Sequence, residues 1–179
     1  MPANDSQYSM NLTAIILTYN EARHLARCID SLAGVADRIV VADCFSTDDT
    51  LAIAAAKGAR VIQRAWVNYA TQFNWAVTQL EPGTEWVLRI DADEVLTPAL
   101  AAEIRARLKG LGTEIDGVYC GRRMTFQGRL IRWGGVFPVQ AAVQRLMADN
   151  AAGRLDGAYT PLALPCIEMW RRRFVDAGP

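Results

Sequence analysis

Residues 38–65 read "RIVVADCFSTDDTLAIAAAKGARVIQRA", and their texture changes twice. From Arg38 a β-branched apolar run stops on a carboxylate at Asp43, the pattern of a short buried strand. The next residues turn helical. Ser46 or Thr47 offers a cap, Asp48 and Asp49 fall in the favourable first turn, and Gly58 ends the run. "ARVIQRA" then returns to strand. Strand, helix and strand in so short a span form a crossover, which predicts right-handed βαβ units on a parallel sheet.

The same alternation continues on both sides. "NLTAIILTYNE" predicts a buried strand from Leu12 to Thr18, and a helix over Glu21 to Ala33 places Leu25, Cys28, Ile29 and Leu32 on one face before Gly34. Downstream, a helix from Tyr69 to Gln79 spaces Phe73, Ala76, Val77 and Leu80 for burial. "EPGTE" turns the chain into a strand from Trp86 to Ile90, and Pro98 opens a further helix that stops at Gly110. "GVYCGRRMTFQGRLIRWGG" (117–135) reads as two short strands paired about Gly128. The expected organisation is a flexible N-terminus at 1–11, an α/β domain over 12–135, and a segment of uncertain structure over 136–179.

Composition narrows the classes. Half of the 179 residues are hydrophobic and about a fifth are charged, which supports a packed core and excludes a disordered chain. No apolar run approaches the ~20 residues of a spanning helix. The polar start "MPANDSQYSMN" lacks a signal-peptide pattern, so the expected location is cytoplasmic. Cys28, Cys44, Cys120 and Cys166 form no C-x-x-C pair and His24 is the single histidine, a pattern of packed thiols and not of a zinc site.

The zero net charge conceals an asymmetry. Residues 1–120 carry ten basic and fifteen acidic side chains, whereas residues 121–173 carry nine arginines against Asp149, Asp156 and Glu168. That segment either meets an anionic partner through forked guanidinium contacts or is a solvated basic face. "WRRRF" (170–174) is either a contact with an anionic membrane surface or a solvated tail.

Three polar clusters fall at three expected strand ends, where parallel sheets bind ligands. In "DADE" (91–94), Asp91 and Asp93 can offer hard oxygens to Mg²⁺ or Mn²⁺, or the loop can cap the next helix. In "LTYNE" (17–21), Thr18, Tyr19 and Glu21 can stack on and hydrogen-bond a base and ribose, or Asn20 can cap a helix. Asp43 can accept from a base or ribose, or form an Asx turn. Neither G-x-G-x-x-G nor G-x-x-x-x-G-K-[ST] occurs, which disfavours a dinucleotide oxidoreductase, a P-loop ATPase and a nucleotidyltransferase.

"AIILTYNEARHLARCIDSL", "RIVVADCFSTDDT", "NYATQFNWAV" and "WVLRIDADEVLTPAL", in this order, resemble the inverting family 2 glycosyltransferases of GT-A fold. The texture is similar to that of bacterial lipopolysaccharide core β-1,4-glucosyltransferases, and the resemblance covers about Leu12 to Gly135. It implies a mostly parallel Rossmann-like sheet flanked by helices, with an antiparallel hairpin after the D-x-D pair. It further implies a UDP-sugar donor, a glycan or glycolipid acceptor of the bacterial envelope and Mn²⁺ or Mg²⁺ as cofactor; no nucleic-acid partner is expected, and a location at the inner face of the cytoplasmic membrane rests on the "WRRRF" cluster alone.

By matching positions, Thr18, Tyr19 and Glu21 would line the nucleoside pocket, Asp43 would contact the base, and Asn74 would lie in the helix behind it. Asp91 would approach ribose or metal, and Asp93 would ligate the metal. Arg122, Arg123, Arg129 and Arg132 would face the diphosphate or an anionic acceptor, or decorate a solvated hairpin. Two departures stand out. Cys44 and Phe45 replace the small residues usual beside the base, and the usual acidic motif that supplies the general base is not found. Asp156 is the first candidate for that base and Glu168 the second. The alternative is a glycosyltransferase-like module that binds nucleotide-sugar and metal without transfer.

Overall fold

The computed structural model describes residues 10–123, 125–126, 129–130 and 166–171, with 126, 130 and 166–171 described by backbone alone. The strands are β1 (Leu12–Thr18), β2 (Arg38–Asp43), β3 (Arg60–Gln63), β4 (Trp86–Asp91), β5 (Gly117–Gly121), β6 (Thr125–Phe126), β7 (Arg129–Leu130) and β8 (Cys166–Arg171). The α-helices are α1 (Leu25–Ser31), α2 (Thr50–Ala56), α3 (Tyr69–Thr78) and α4 (Pro98–Arg107). The central sheet runs in the order β3-β2-β1-β4-β8, and β6 pairs with β7 in a two-stranded ribbon.

By compactness the chain divides into two units, Met1–Val118 with Glu168–Pro179, and Tyr119–Ile167. In the first, β1 pairs in parallel with β2 and β4, β2 pairs in parallel with β3, and β8 pairs antiparallel with β4. The sheet is therefore mostly parallel and helix-flanked, as the alternation of elements predicted. β1 lies at its centre and is apolar on both faces, since Leu12, Ala14, Ile15 and Ile16 are fully buried. On one face Ile15, Val40, Ala42 and Val87 meet Ala76 and Val77 of α3 and Leu80 just beyond its end. In the second unit, Thr125 is registered with Leu130 and Phe126 with Arg129, the expected antiparallel ribbon. β8, which no sequence signal had marked, extends the sheet beyond β4.

The helix starts depart from expectation. Asn68 and Thr97 cap α3 and α4, accepting from the amides of Thr71 (2.8 Å) and Leu100 (3.2 Å). The acidic "DADE" turn is therefore not the cap of α4. Neither Ser46 nor Thr47 caps α2; the residue before that helix is Asp49, whose side chain makes no cap bond. Nor does Asn20 cap α1, which begins after His24. In each case the polar side chain is engaged across the site instead.

Met10 and Asn11 are tied to the sheet. The amides of Met10 and Leu12 both donate to Asp37 Oδ2 at 3.0 Å, and the Asn11 carbonyl accepts from Glu85 and Trp86.

Candidate active site

The strand registers assemble the site. Thr18 pairs with Asp43 across β1 and β2, and Leu17 pairs with Asp91 across β1 and β4, so the three polar strand ends form one row at the carboxyl edge. Asp43 and the Asp91 turn stand two strand spacings apart, about 10 Å.

Asp43 is fully buried and every bond that reaches its carboxylate comes from protein. Oδ1 accepts from the hydroxyls of Thr18 (3.0 Å) and Ser46, and Oδ2 from the Ser46 amide (2.9 Å) and Gln63 Nε2 (3.0 Å). Burial alone pushes this carboxyl up, but the bonds from Ser46, Gln63 and Thr18 outweigh it and hold the group below its usual range. The backbone joins in: the Cys44 amide donates to the Thr18 carbonyl (3.0 Å) and the Arg64 amide to that of Asp43 (3.1 Å). Asp43 is thus the knot of β1, β2 and β3.

The loops beyond are laced together. Asn20, at φ +55°, donates its amide to Ser46 Oγ (2.8 Å) and accepts from the Thr47 amide through Oδ1 (2.8 Å). The Glu21 amide donates to Thr50 Oγ1 (2.8 Å), and that of Ala22 to Asp48 Oδ2 (3.1 Å). This cross-loop lacing explains why Ser46, Thr47 and Asn20 are unavailable as helix caps. It leaves Tyr19 exposed by 60% and Phe45 by 54% on the two adjoining loops.

At the β4 exit, the Asp91 amide donates to Glu94 Oε2 and the Glu94 amide returns to the Asp91 carbonyl, both at 3.0 Å. From α1, Arg27 Nη2 donates to the Asp93 carbonyl (3.1 Å) and the Cys28 thiol to that of Asp91 (3.6 Å). These bonds fix the backbone of the turn while the Asp93 side chain faces solvent beside a half-buried Asp91. Burial, with the carboxylates of Glu94, Asp93 and Asp91 acting in the same direction against Arg27, pushes the Cys28 thiol up to about 12. The thiol stays neutral, and the turn is a patch of negative potential.

Among the described residues no three His, Cys, Asp or Glu side chains gather into a complete metal cage. A pair of carboxylates on a fixed turn nevertheless fits Mg²⁺ or Mn²⁺, ions that take one or two protein carboxylates and fill the rest of their shell with phosphate oxygens and water.

The other expected residues are dispersed. Asn74 is exposed on α3, Arg122 is half-buried, Arg123 and Arg129 are exposed, and Arg132 and Asp156 lie outside the described residues. Glu168 is registered opposite Arg89 in the β4–β8 ladder. Two buried or bonded polar residues, Gln63 in the site and Gln72 on the helix behind it, escaped the sequence reading. Gln63 ends β3 in register with Asp43, a pairing visible only once the strands are aligned. Gln72 is fully buried on α3, with Nε2 at 3.5 Å from the Arg64 carbonyl and, among the described residues, no partner for Oε1; a polar residue on the apolar stripe of α3 was its signal.

Known proteins agree with this architecture. The pattern of glycosyl transferase family 2 matches residues 13–167. An uncharacterised glycosyltransferase of Rickettsia felis is 43% identical over 93 residues, 52% of this chain and 32% of that protein. The lipopolysaccharide core biosynthesis glycosyltransferase LpsC of Rhizobium meliloti is 37% identical over 117 residues, 63% of this chain and 42% of that protein. The chain thus spans less than half the length of these curated relatives. Glucosyl-3-phosphoglycerate synthase of Mycobacterium tuberculosis, solved with UDP, aligns at a TM-score of 0.57 and 21% identity, covering 94% of this chain and 58% of that one. The same synthase solved with Mn²⁺, UDP and phosphoglyceric acid aligns at 0.54, again at 21% identity, covering 94% and 57%. These structures share the GT-A fold with the present chain. With its family pattern spanning most of the sequence, the chain belongs to glycosyl transferase family 2.

Proposed function

We propose that this chain carries the donor-binding part of an inverting glycosyltransferase that moves a hexose, glucose or a close relative, from a UDP-sugar to a bacterial envelope glycan such as lipopolysaccharide core. The observation that supports this most is the row of Asp43, Thr18 and the Asp91–Glu94 turn along one sheet edge. Family membership supports the reaction class. Similarity to LpsC supports the acceptor class, and the fold shared with a synthase solved with UDP and Mn²⁺ supports the nucleotide.

In this reading Thr18, Tyr19 and Glu21 line the nucleoside pocket, Asp43 sets its floor at the base, and Asn74 lies on the helix behind it. Asp93, with Asp91 beside it, would hold Mn²⁺ or Mg²⁺, which when bound neutralises charge on the departing diphosphate. The acceptor hydroxyl oxygen bonds to the anomeric carbon from the face opposite the nucleotide. The bond from that carbon to the diphosphate breaks, its electron pair leaves with UDP, and a carboxylate takes the hydroxyl proton. Asp156 is the first candidate for that carboxylate and Glu168 the second. The arginine-rich stretch 121–173 would face an anionic glycolipid at the cytoplasmic side of the inner membrane. Among the described residues no helix is long and apolar enough to cross a membrane.

Calorimetry with UDP in Mn²⁺, in Mg²⁺ and in chelator, followed by UDP release from UDP-glucose, tests the proposal. UDP affinity should rise with the metal, and Asp93→Ala should abolish most of that increment, about tenfold or more. UDP binding that is absent, or indifferent to metal and to Asp93, would overturn it. Metal-dependent binding with no transfer across an acceptor panel would instead identify a nucleotide-sugar-binding module.

A further inference from the structure

The exits of β1 and β2 carry two exposed rings that the core does not use. Tyr19 follows Thr18 by one residue and Phe45 follows Asp43 by two, so both flank the cross-strand pair at the centre of the site. Neither touches another aromatic ring among the described residues.

Phe45 also adopts a left-handed backbone at φ +60°, a conformation disfavoured for any bulky L-residue. The bonds on either side dictate that turn. The Cys44 amide is held by the Thr18 carbonyl, the Ser46 amide by Asp43 Oδ2, and the Ser46 hydroxyl both donates to Asp43 and accepts from the Asn20 amide. None of these bonds involves the Phe45 side chain. Glycine would make the same turn without strain, so a large ring stands at a strained position with more than half of its surface open to solvent. Strain of this kind persists where its surroundings over-determine it, and it clusters at ligand clamps.

Resting on the donor-binding reading above, we propose that Phe45 is a base-stacking residue. The planar base of the donor nucleotide lies against its ring at the mouth between β1 and β2, with Tyr19 on the facing loop. Every base has a π face, so stacking of this kind raises affinity for the nucleoside and leaves the grip on the diphosphate unchanged.

Titration of the 179-residue chain with UDP and with inorganic pyrophosphate, both in Mn²⁺, separates the two contributions. Phe45→Gly should melt no lower than the unsubstituted chain, bind UDP about ten- to a hundredfold more weakly, and bind pyrophosphate as before. Phe45→Trp should keep UDP affinity within about threefold. Should the glycine variant fail to fold, Phe45→Leu keeps the bulk without a π face and serves the same comparison. UDP affinity unchanged in the glycine or leucine variant overturns the assignment, as does an equal loss for UDP and pyrophosphate, which would mark a loop-positioning role. Those outcomes leave the donor-binding reading intact, whereas failure of the unsubstituted chain to bind UDP overturns both.

Discussion

Asp43 shows how one side chain can serve the fold while standing in the site. Its carboxylate is buried and accepts from Thr18, Gln63 and twice from Ser46, so all its lone-pair directions face protein donors. Asp43→Asn replaces one acceptor oxygen with an amino group aimed at donors, and should destabilise the chain by about 2–3 kcal/mol in urea unfolding at pH 7. Because the native carboxyl is held below its ordinary value, its contribution is fully present above the unfolded pKa of about 3.9 and is lost as pH falls through the native one. The asparagine variant should therefore lose less stability than the unsubstituted chain on acidification below about pH 4. An acid limb of equal depth in both proteins would count against a depressed native pKa.

At the scale of elements, the helix ends are where local chemistry and tertiary contacts compete. Asn68 caps α3 through a 2.8 Å bond to the Thr71 amide, and Asn68→Ala should cost about 1 kcal/mol in chemical unfolding. Gly58 ends α2 at φ +73° with open space where a Cβ would stand. Gly58→Ala should therefore cost only the left-handed strain, about 1 kcal/mol, with no added packing defect. Ser46, Thr47 and Asn20 carry the same kind of cap chemistry, yet each bonds across the β1 and β2 loops. Sequence propensity names the donors and acceptors; the neighbouring strand decides which of them meet.

At the scale of the whole molecule, the sheet that positions the site also carries much of the buried apolar core among the described residues. Ile15 is fully buried between strands β2 and β4 and against α3, so Ile15→Ala should cost roughly 3 kcal/mol by loss of transfer energy plus the cavity left behind. Its urea midpoint should fall far more than that of the helix-cap variants. A loss under about 1 kcal/mol would mean that the core collapses around the smaller residue. UDP with Mn²⁺ should raise the melting temperature of the chain, a shift that saturates as the complex does and that chelator reduces. The rise should be smaller for Asp93→Ala.

The sequence by itself determined the strands β1 to β4, the helices between them and the sheet edge at which Thr18, Asp43 and Asp91 emerge, because hydrophobic period and glycine stops are local properties of the chain. Only the tertiary structure decided that Asp43 is enclosed by Thr18, Ser46 and Gln63, that Asn20 bonds to Thr47 instead of capping α1, that β8 extends the sheet beyond β4, and that Phe45 turns left-handed. Each of these depends on residues far apart in sequence meeting across neighbouring strands, parallel between β1, β2 and β3 and antiparallel between β4 and β8. Hydrogen-bond partners and strand register are chosen by that meeting, and no local pattern encodes them.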